Sequence, residues 1–296
     1  MPDQLDLFLD SHALQRAYDV VAALLARDSS RAGEAFAALA HEDAAYPGLA
    51  QLATLIRSLA DWQVAPVDCE AIEARLAEVD RVIGPAAQRM LGERAAGFVA
   101  AFVRDMAVAA GEQQFDPLHA GAHPAALWLR CGEYERAEAA ATALRQNPPD
   151  PMVLNWLSVS RSKLRGFAAA RPTFFTLCLH APAQADALRI ELGDTLLDRD
   201  WTAFLKETAE WTVAAPELPR WFPAWYVLRH GSAARDFEGF EFPAHAAARA
   251  VQLLLHILPL ERARDLRPLA AVRARLGDLN QEFFTLYMAD RTVKHA

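Results

Sequence analysis

Between residues 124 and 149 the chain reads PAALWLRCGEYERAEAAATALRQNPP. Leu127, Trp128 and Cys131 share one helical face, Gly132 breaks the period, and Tyr134, Ala137, Ala141 and Leu144 make a second face before two prolines. This pattern specifies a helix, a turn and a second helix. It recurs: 34 residues separate Gly132 from Gly166, and Pro149, Pro182 and Pro216 follow one another at intervals of 33 and 34 residues. A two-helix unit repeated at that period constrains the fold more than any other feature of the chain.

The order Trp128, Gly132, Tyr134, Ala137, Pro149 resembles the second half of a tetratricopeptide (TPR) repeat, a family of helical hairpins about 34 residues long. In that family glycine makes the turn, the small residue lets the helices approach, and proline ends the unit. The large residue that opens the family's first helix is absent, with Gly121 and Pro124 in its place. The resemblance implies an all-α stack of helical hairpins, a TPR-like α-solenoid. It implies no ligand.

Composition agrees with helices. Of 296 residues, 53% are hydrophobic, supplied mainly by Ala and Leu with few β-branched runs, so almost no strand is expected. A net charge of −8 and a pI near 5.6 argue against a broad nucleic-acid surface, which needs clustered Lys and Arg. Arg262, Arg264, Arg267, Arg273 and Arg275 do cluster, but Glu261, Asp265 and Asp278 dilute them, and the group reads as a solvated helix face. The first ten residues carry three aspartates and no basic residue, unlike a secretory signal, and no apolar segment is long enough to span a bilayer. A soluble, cytoplasmic protein without membrane contact is expected. Cys69, Cys131 and Cys178 are odd in number and widely spaced, as small buried hydrophobes are in a reducing compartment.

Along the chain the pattern predicts three parts: a peptide segment at 1–11, a helical subdomain at 12–111, and TPR-like repeats with capping helices at 112–296. In the first subdomain Asp10 and Ser11 suit a helix cap, and Leu14, Tyr18, Val21 and Leu25 form the inward face that follows. Helices are expected around Phe36 and Leu39, around Leu52 and Ile56, and around Ile72 and Val79, with one long helix from Gly84 almost to Ala110. Residues 111–124 lack period and mark the internal boundary. The third repeat pairs 185–197 with 201–214 and turns at Asp198 and Asp200. After an aromatic helix at 219–229 and an irregular insertion at 231–243, three helices close the chain, the last carrying Phe283, Phe284, Leu286 and Tyr287.

Motifs for catalysis are absent from the sequence: it contains no phosphate-binding glycine loop, nucleophile elbow, paired CxxC or HExxH. No cofactor is expected, and an enzyme is not the first reading. The metal candidate is Asp116, His119 and His123, because two histidines four apart on a helix share a face. Gly121 and Pro124 interrupt that helix, and a polar loop is the competing reading. The aromatic group Trp201, Trp211, Trp221, Phe222, Trp225 and Tyr226 suits packing between hairpins or a peptide-binding groove, with Trp221 and Tyr226 the groove candidates because they flank Pro223.

The sharpest motif is QLDLF. Gln4, Leu5, Asp6, Leu7 and Phe8 resemble, at every position, the short peptide by which bacterial replication and repair proteins dock on the DNA sliding clamp. That resemblance implies an extended peptide whose Leu7 and Phe8 fill an apolar pocket while Gln4 supplies directional hydrogen bonds. The other reading is a staple, in which Leu5, Phe8 and Leu9 hold the first helix to its neighbour. The sequence thus points to a protein-binding adaptor, with a metal-binding or catalytic loop at 116–123 as the alternative.

Overall fold

The computed structural model describes residues 3–62, 68–111, 115–144 and 150–295, with side chains described from residue 12 to residue 292. Among these residues every regular element is helical and there is no strand. No described helix is long and apolar enough to cross a membrane. The chain divides into two compact units, 1–140 and 141–296.

In the first unit, α1 (Asp3–Leu25) packs against α2 (Ser29–Glu42), and α2 against α3 (Leu49–Ala60). The cap expected at Asp10 and Ser11 is absent because the α1 backbone runs through both residues. Of the face expected for α1, Val21 and Leu25 do pack, partly buried, against the core, but Leu14 and Tyr18 do not. Ala13, Ala17, Val20, Ala23 and Leu24 are buried, whereas Leu14 and Tyr18 are 61% and 66% exposed. Small alanines let two helices approach closely, so this face buries well despite having fewer large side chains. Asp28 caps α2 by accepting from the Arg31 N–H at 2.9 Å.

A second correction concerns the expected break at Gly84. α4 (Cys69–Glu78) continues through a π-helical turn, Val79–Ile83, directly into α5 (Gly84–Leu91). The Gly84 N–H bonds the Val79 carbonyl five residues back. A Cβ at Gly84 would meet that oxygen at 3.1 Å, so glycine suits the wide turn, and Pro85 then sits in the first turn of α5 where it needs no N–H partner. The helix breaks instead at Gly92, whose φ of 54° starts the 3₁₀ turn Gly92–Arg94 before α6 (Ala95–Ala110). The single long helix is therefore two.

The 3₁₀ turn Pro117–Ala122 packs on α4, and α7 (Pro124–Arg130) packs on α6. These contacts bind the residues after 111 to the first unit, which is why the division falls at 140/141 and not at the expected 111/112. Gly132, with φ 73°, turns the chain into α8 (Tyr134–Ala143). Its N–H bonds the Leu129 carbonyl, and the Glu133 N–H bonds that of Trp128 at 3.0 Å, which satisfies the last carbonyls of α7. The Arg136 guanidinium lies 4.7 Å over the Trp128 ring, and Ala137 is fully buried in the core of this unit.

The second unit begins with a closely packed hairpin of α9 (Pro151–Arg165) and α10 (Phe167–His180), joined at Gly166 with φ 79°. Ser158 and Thr173 hydrogen-bond across it at 2.9 Å, and Thr173 donates to the Ala170 carbonyl, so the buried hydroxyls are paired. α11 (Pro182–Leu192) packs against α9, α10 and the 3₁₀ turn Ala215–Trp221. The next turn is at Gly193, φ 60°, and not at Asp198 and Asp200. Asp194 caps α12 (Thr195–Glu207) by accepting from Leu196 and Leu197, so both expected turn residues lie inside that helix. α12 has its main contact with α13 (Phe222–Arg229).

After the 3₁₀ turn Gly231–Phe237, α14 (Ala246–Ala263), α15 (Leu266–Leu279) and α16 (Gln281–His295) pack in succession, and α13 contacts both α14 and α16. Phe283 and Tyr287 of α16 are fully buried.

Candidate functional site

The described part of α1 presents an apolar pair to solvent. Leu14 and Tyr18 are four residues apart, one helical turn, and therefore neighbours on the surface. The charged groups of this part of α1 lie round the helix from that pair: Arg16 lies 3.9 Å from Asp19 and 3.6 Å from Glu42, and His12 lies 3.8 Å from the same Glu42 carboxylate. These exposed pairs hold little energy, about 0 to 1 kcal/mol each, and leave the apolar pair open. The side chains of Gln4, Leu5, Asp6, Leu7 and Phe8 lie outside the described residues, while their backbone belongs to α1 and is helical in place of the expected extended form.

Trp221 and Tyr226 do not line a groove. Trp221 is 5% exposed and packs edge-on to Trp211 and against Phe283, with ring centroids 5.7 and 5.6 Å apart. Tyr226 is buried between Phe175 at 5.3 Å and His230 at 4.4 Å, with the Arg171 guanidinium 5.5 Å over its ring. Tyr226 belongs to an aromatic core centred on Phe222, which meets Phe174, Phe175, Trp201, Phe204, Trp225 and Tyr226 at centroid distances of 4.8 to 6.2 Å, whereas Trp221 packs in a cluster with Trp211 and Phe283. The reason is local. Pro223 sits in the first turn of α13, where proline is tolerated without a kink, so the flanking rings stay in helical register and turn inward.

The loop at 116–123 uses its polar side chains separately. Asp116 accepts from the Leu118 N–H at 2.9 Å and so caps a 3₁₀ turn. His119 Nδ1 lies 3.0 Å from Glu73, and that hydrogen bond raises its pKa above the usual imidazole value. His123 is buried at the start of α7, where burial pushes its pKa down to about 4, and its Nδ1 accepts from the Ala125 N–H at 3.1 Å. A ring nitrogen that accepts a backbone proton belongs to a neutral imidazole, so His123 acts as a helix cap. Among the described residues no three His, Cys, Asp or Glu side chains come together as ligands for one ion. The candidate ligands Asp116, His119 and His123 do not converge: the non-helical backbone at His119, φ −121°, turns the two histidines to different partners.

No disulfide joins the three cysteines. Cys178 is fully buried and Cys131 half-buried, and burial raises both thiols, Cys131 to about 11. Such thiols are poor nucleophiles and read as packing residues. The surface that sequence reasoning missed is the pair Leu14 and Tyr18. A cue was present, because the alternative stripe of Ala13, Ala17, Val20 and Leu24 has the same helical period.

No family model, no curated protein and no solved structure matches this chain.

Proposed function

We propose that the protein is a non-enzymatic adaptor, which docks on a DNA sliding clamp through residues 4–8 while its helical body holds a second protein. The observation that carries this reading is the complete QLDLF motif, with Gln4, Leu5, Asp6, Leu7 and Phe8 each matching the clamp-binding peptide. The exposed Leu14 and Tyr18 further along the same helix support it, since apolar side chains left in water beside a docking motif extend the area that a partner covers. Docking in an extended form requires the first turns of α1 to unwind. Helix ends open at low free energy, so this cost is small against the gain from filling an apolar pocket.

The finer fold reading belongs to the same proposal: the body is a TPR-like α-solenoid whose hairpins present a protein-binding face. The glycine turns support it, with positive φ at Gly132 and Gly166, a region open to glycine. A peptide of five residues binds in the micromolar range, about −8 kcal/mol. The multivalency of a ring-shaped clamp raises the effective strength.

The test is clamp binding by the full-length protein and its Leu7→Ala/Phe8→Ala variant, measured by surface plasmon resonance beside their melting temperatures. Loss of binding at an unchanged melting temperature supports docking. A variant that binds as well as the parent, or that melts several degrees lower, points to a staple within the protein's own fold.

A further inference from the structure

The last three helices of the second unit surround an open cleft of about 610 Å³. Three arginines line it, Arg264 at the end of α14, Arg273 on α15 and Arg291 on α16, against one carboxylate, Glu261. A single oxygen of that carboxylate serves several donors: Oε1 accepts from the Tyr287 hydroxyl at 2.5 Å and from Arg273 Nη2 at 3.1 Å, and Arg291 Nε lies 3.1 Å away. One negative charge therefore answers two guanidiniums before Arg264 is counted. The second nearby carboxylate, Asp290, lies 3.7 Å from Arg291 but is held at 2.6 Å by Arg229. On the turn itself Asp265 is set against Arg262 and Arg267. The balance is positive.

One arginine, Arg264, has capacity open to the cleft, and a second, Arg291, adds charge from its wall. Arg291 is only 13% exposed, and its Nη2 is buried with no hydrogen-bond partner among the described residues. A donor closed off from solvent in this way does not reach into the cleft, so Arg291 lends charge and not contact. Arg264 is exposed and makes no side-chain hydrogen bond or ion pair among the described residues. Its backbone is left-handed, φ 56° and ψ 32°, at the end of α14 where glycine is the usual residue. The only other non-glycine residue with positive φ, among those described, is Arg27, whose guanidinium pairs with Asp105 at 2.6 Å. The walls are apolar: Leu266 is 73% exposed and Met288 39%.

We propose that this cleft binds a small organic oxyanion with an apolar body, a phosphate monoester or a carboxylate. Arg264 takes the charged group, for which the planar guanidinium fork is suited, Arg291 adds its charge from the wall, and Leu266 and Met288 take the apolar part. Arg273, already bound to Tyr287 and Glu261, contributes charge more than contact.

Isothermal titration with phenyl phosphate, benzoate and inorganic phosphate tests this on the full chain. Phenyl phosphate or benzoate is expected to bind at least tenfold tighter than inorganic phosphate, and the tighter of the two assigns the oxyanion. If neither exceeds inorganic phosphate, the proposal fails. The decisive variant is Arg264→Gly, which removes the guanidinium while relieving the backbone. It is expected to melt at or above the parent temperature and to lose at least tenfold in affinity for the tighter probe. Unchanged affinity in this variant overturns the proposal.

Discussion

The placement of α1 makes a quantitative prediction, because two leucines on one helix are assigned opposite environments. Leu24 is fully buried and Leu14 is 61% exposed. Truncating a buried leucine to alanine costs about 2 to 5 kcal/mol, the spread reflecting how far the site collapses. At Leu14 less than half of the side chain leaves an apolar environment, so Leu14→Ala should cost about 1 kcal/mol or less. The converse change sharpens the test. Ala17 is 6% exposed in the core of the first unit, and Ala17→Leu should destabilise by about 1 to 3 kcal/mol through overpacking. Urea unfolding of the three variants, followed by far-UV circular dichroism, gives these differences directly. If Leu14→Ala proves as costly as Leu24→Ala, or Ala17→Leu is stabilising, the helix is rotated from the face described and the apolar pair offered to a partner does not exist.

Other consequences are as direct. Gly132→Ala should cost about 1 to 2 kcal/mol in a thermal or urea melt, purely from the left-handed backbone at φ 73°, because a Cβ there meets nothing within 4 Å. Phe222→Ala, at the centre of the aromatic core, should cost about 3 to 5 kcal/mol, and alanine at Trp221 or Tyr226 should act through the same loss of packing. His123 should stay neutral down to about pH 4 in an NMR titration, where an ordinary imidazole would charge near 6.5. Its folded pKa lies below the unfolded one, so the stability it contributes is fully present above pH 6.5 and is lost as the pH falls towards 4. His123→Asn, which keeps a capping acceptor, should flatten that part of the pH profile of the melting temperature.

The parts of the fold that were legible in the sequence rest on local backbone chemistry. Gly132 and Gly166 make turns because their positive φ excludes most other residues, and Pro124 and Pro182 each open a helix because the first turn needs no N–H. Where two local signals compete, sequence reading chose wrongly. Gly84 and Pro85 look like a break, yet the π-helical turn absorbs them, and the real break at Gly92 carries no proline to announce it. Asp198 and Asp200 look like turn residues, but Gly193 and the cap at Asp194 place the turn earlier. The face of α1 was misread because side-chain size was taken as the guide to burial, whereas closely packed helices select alanine. The cleft was beyond local reading altogether. Arg264 and Arg273 looked like a solvated cluster, and only tertiary packing brings Arg291, from a later helix, beside the same Glu261 oxygen.

Hydrogen exchange measured on the full-length protein, alone and with a saturating sliding clamp, tests the adaptor account most directly, because it reads the docking segment residue by residue. The account predicts that the clamp slows exchange in residues 4–8 and in the turns that follow as far as Tyr18, with the aromatic core around Phe222 unchanged. Exchange in residues 4–8 that the clamp leaves untouched, or protection that appears only in the second unit, would contradict it.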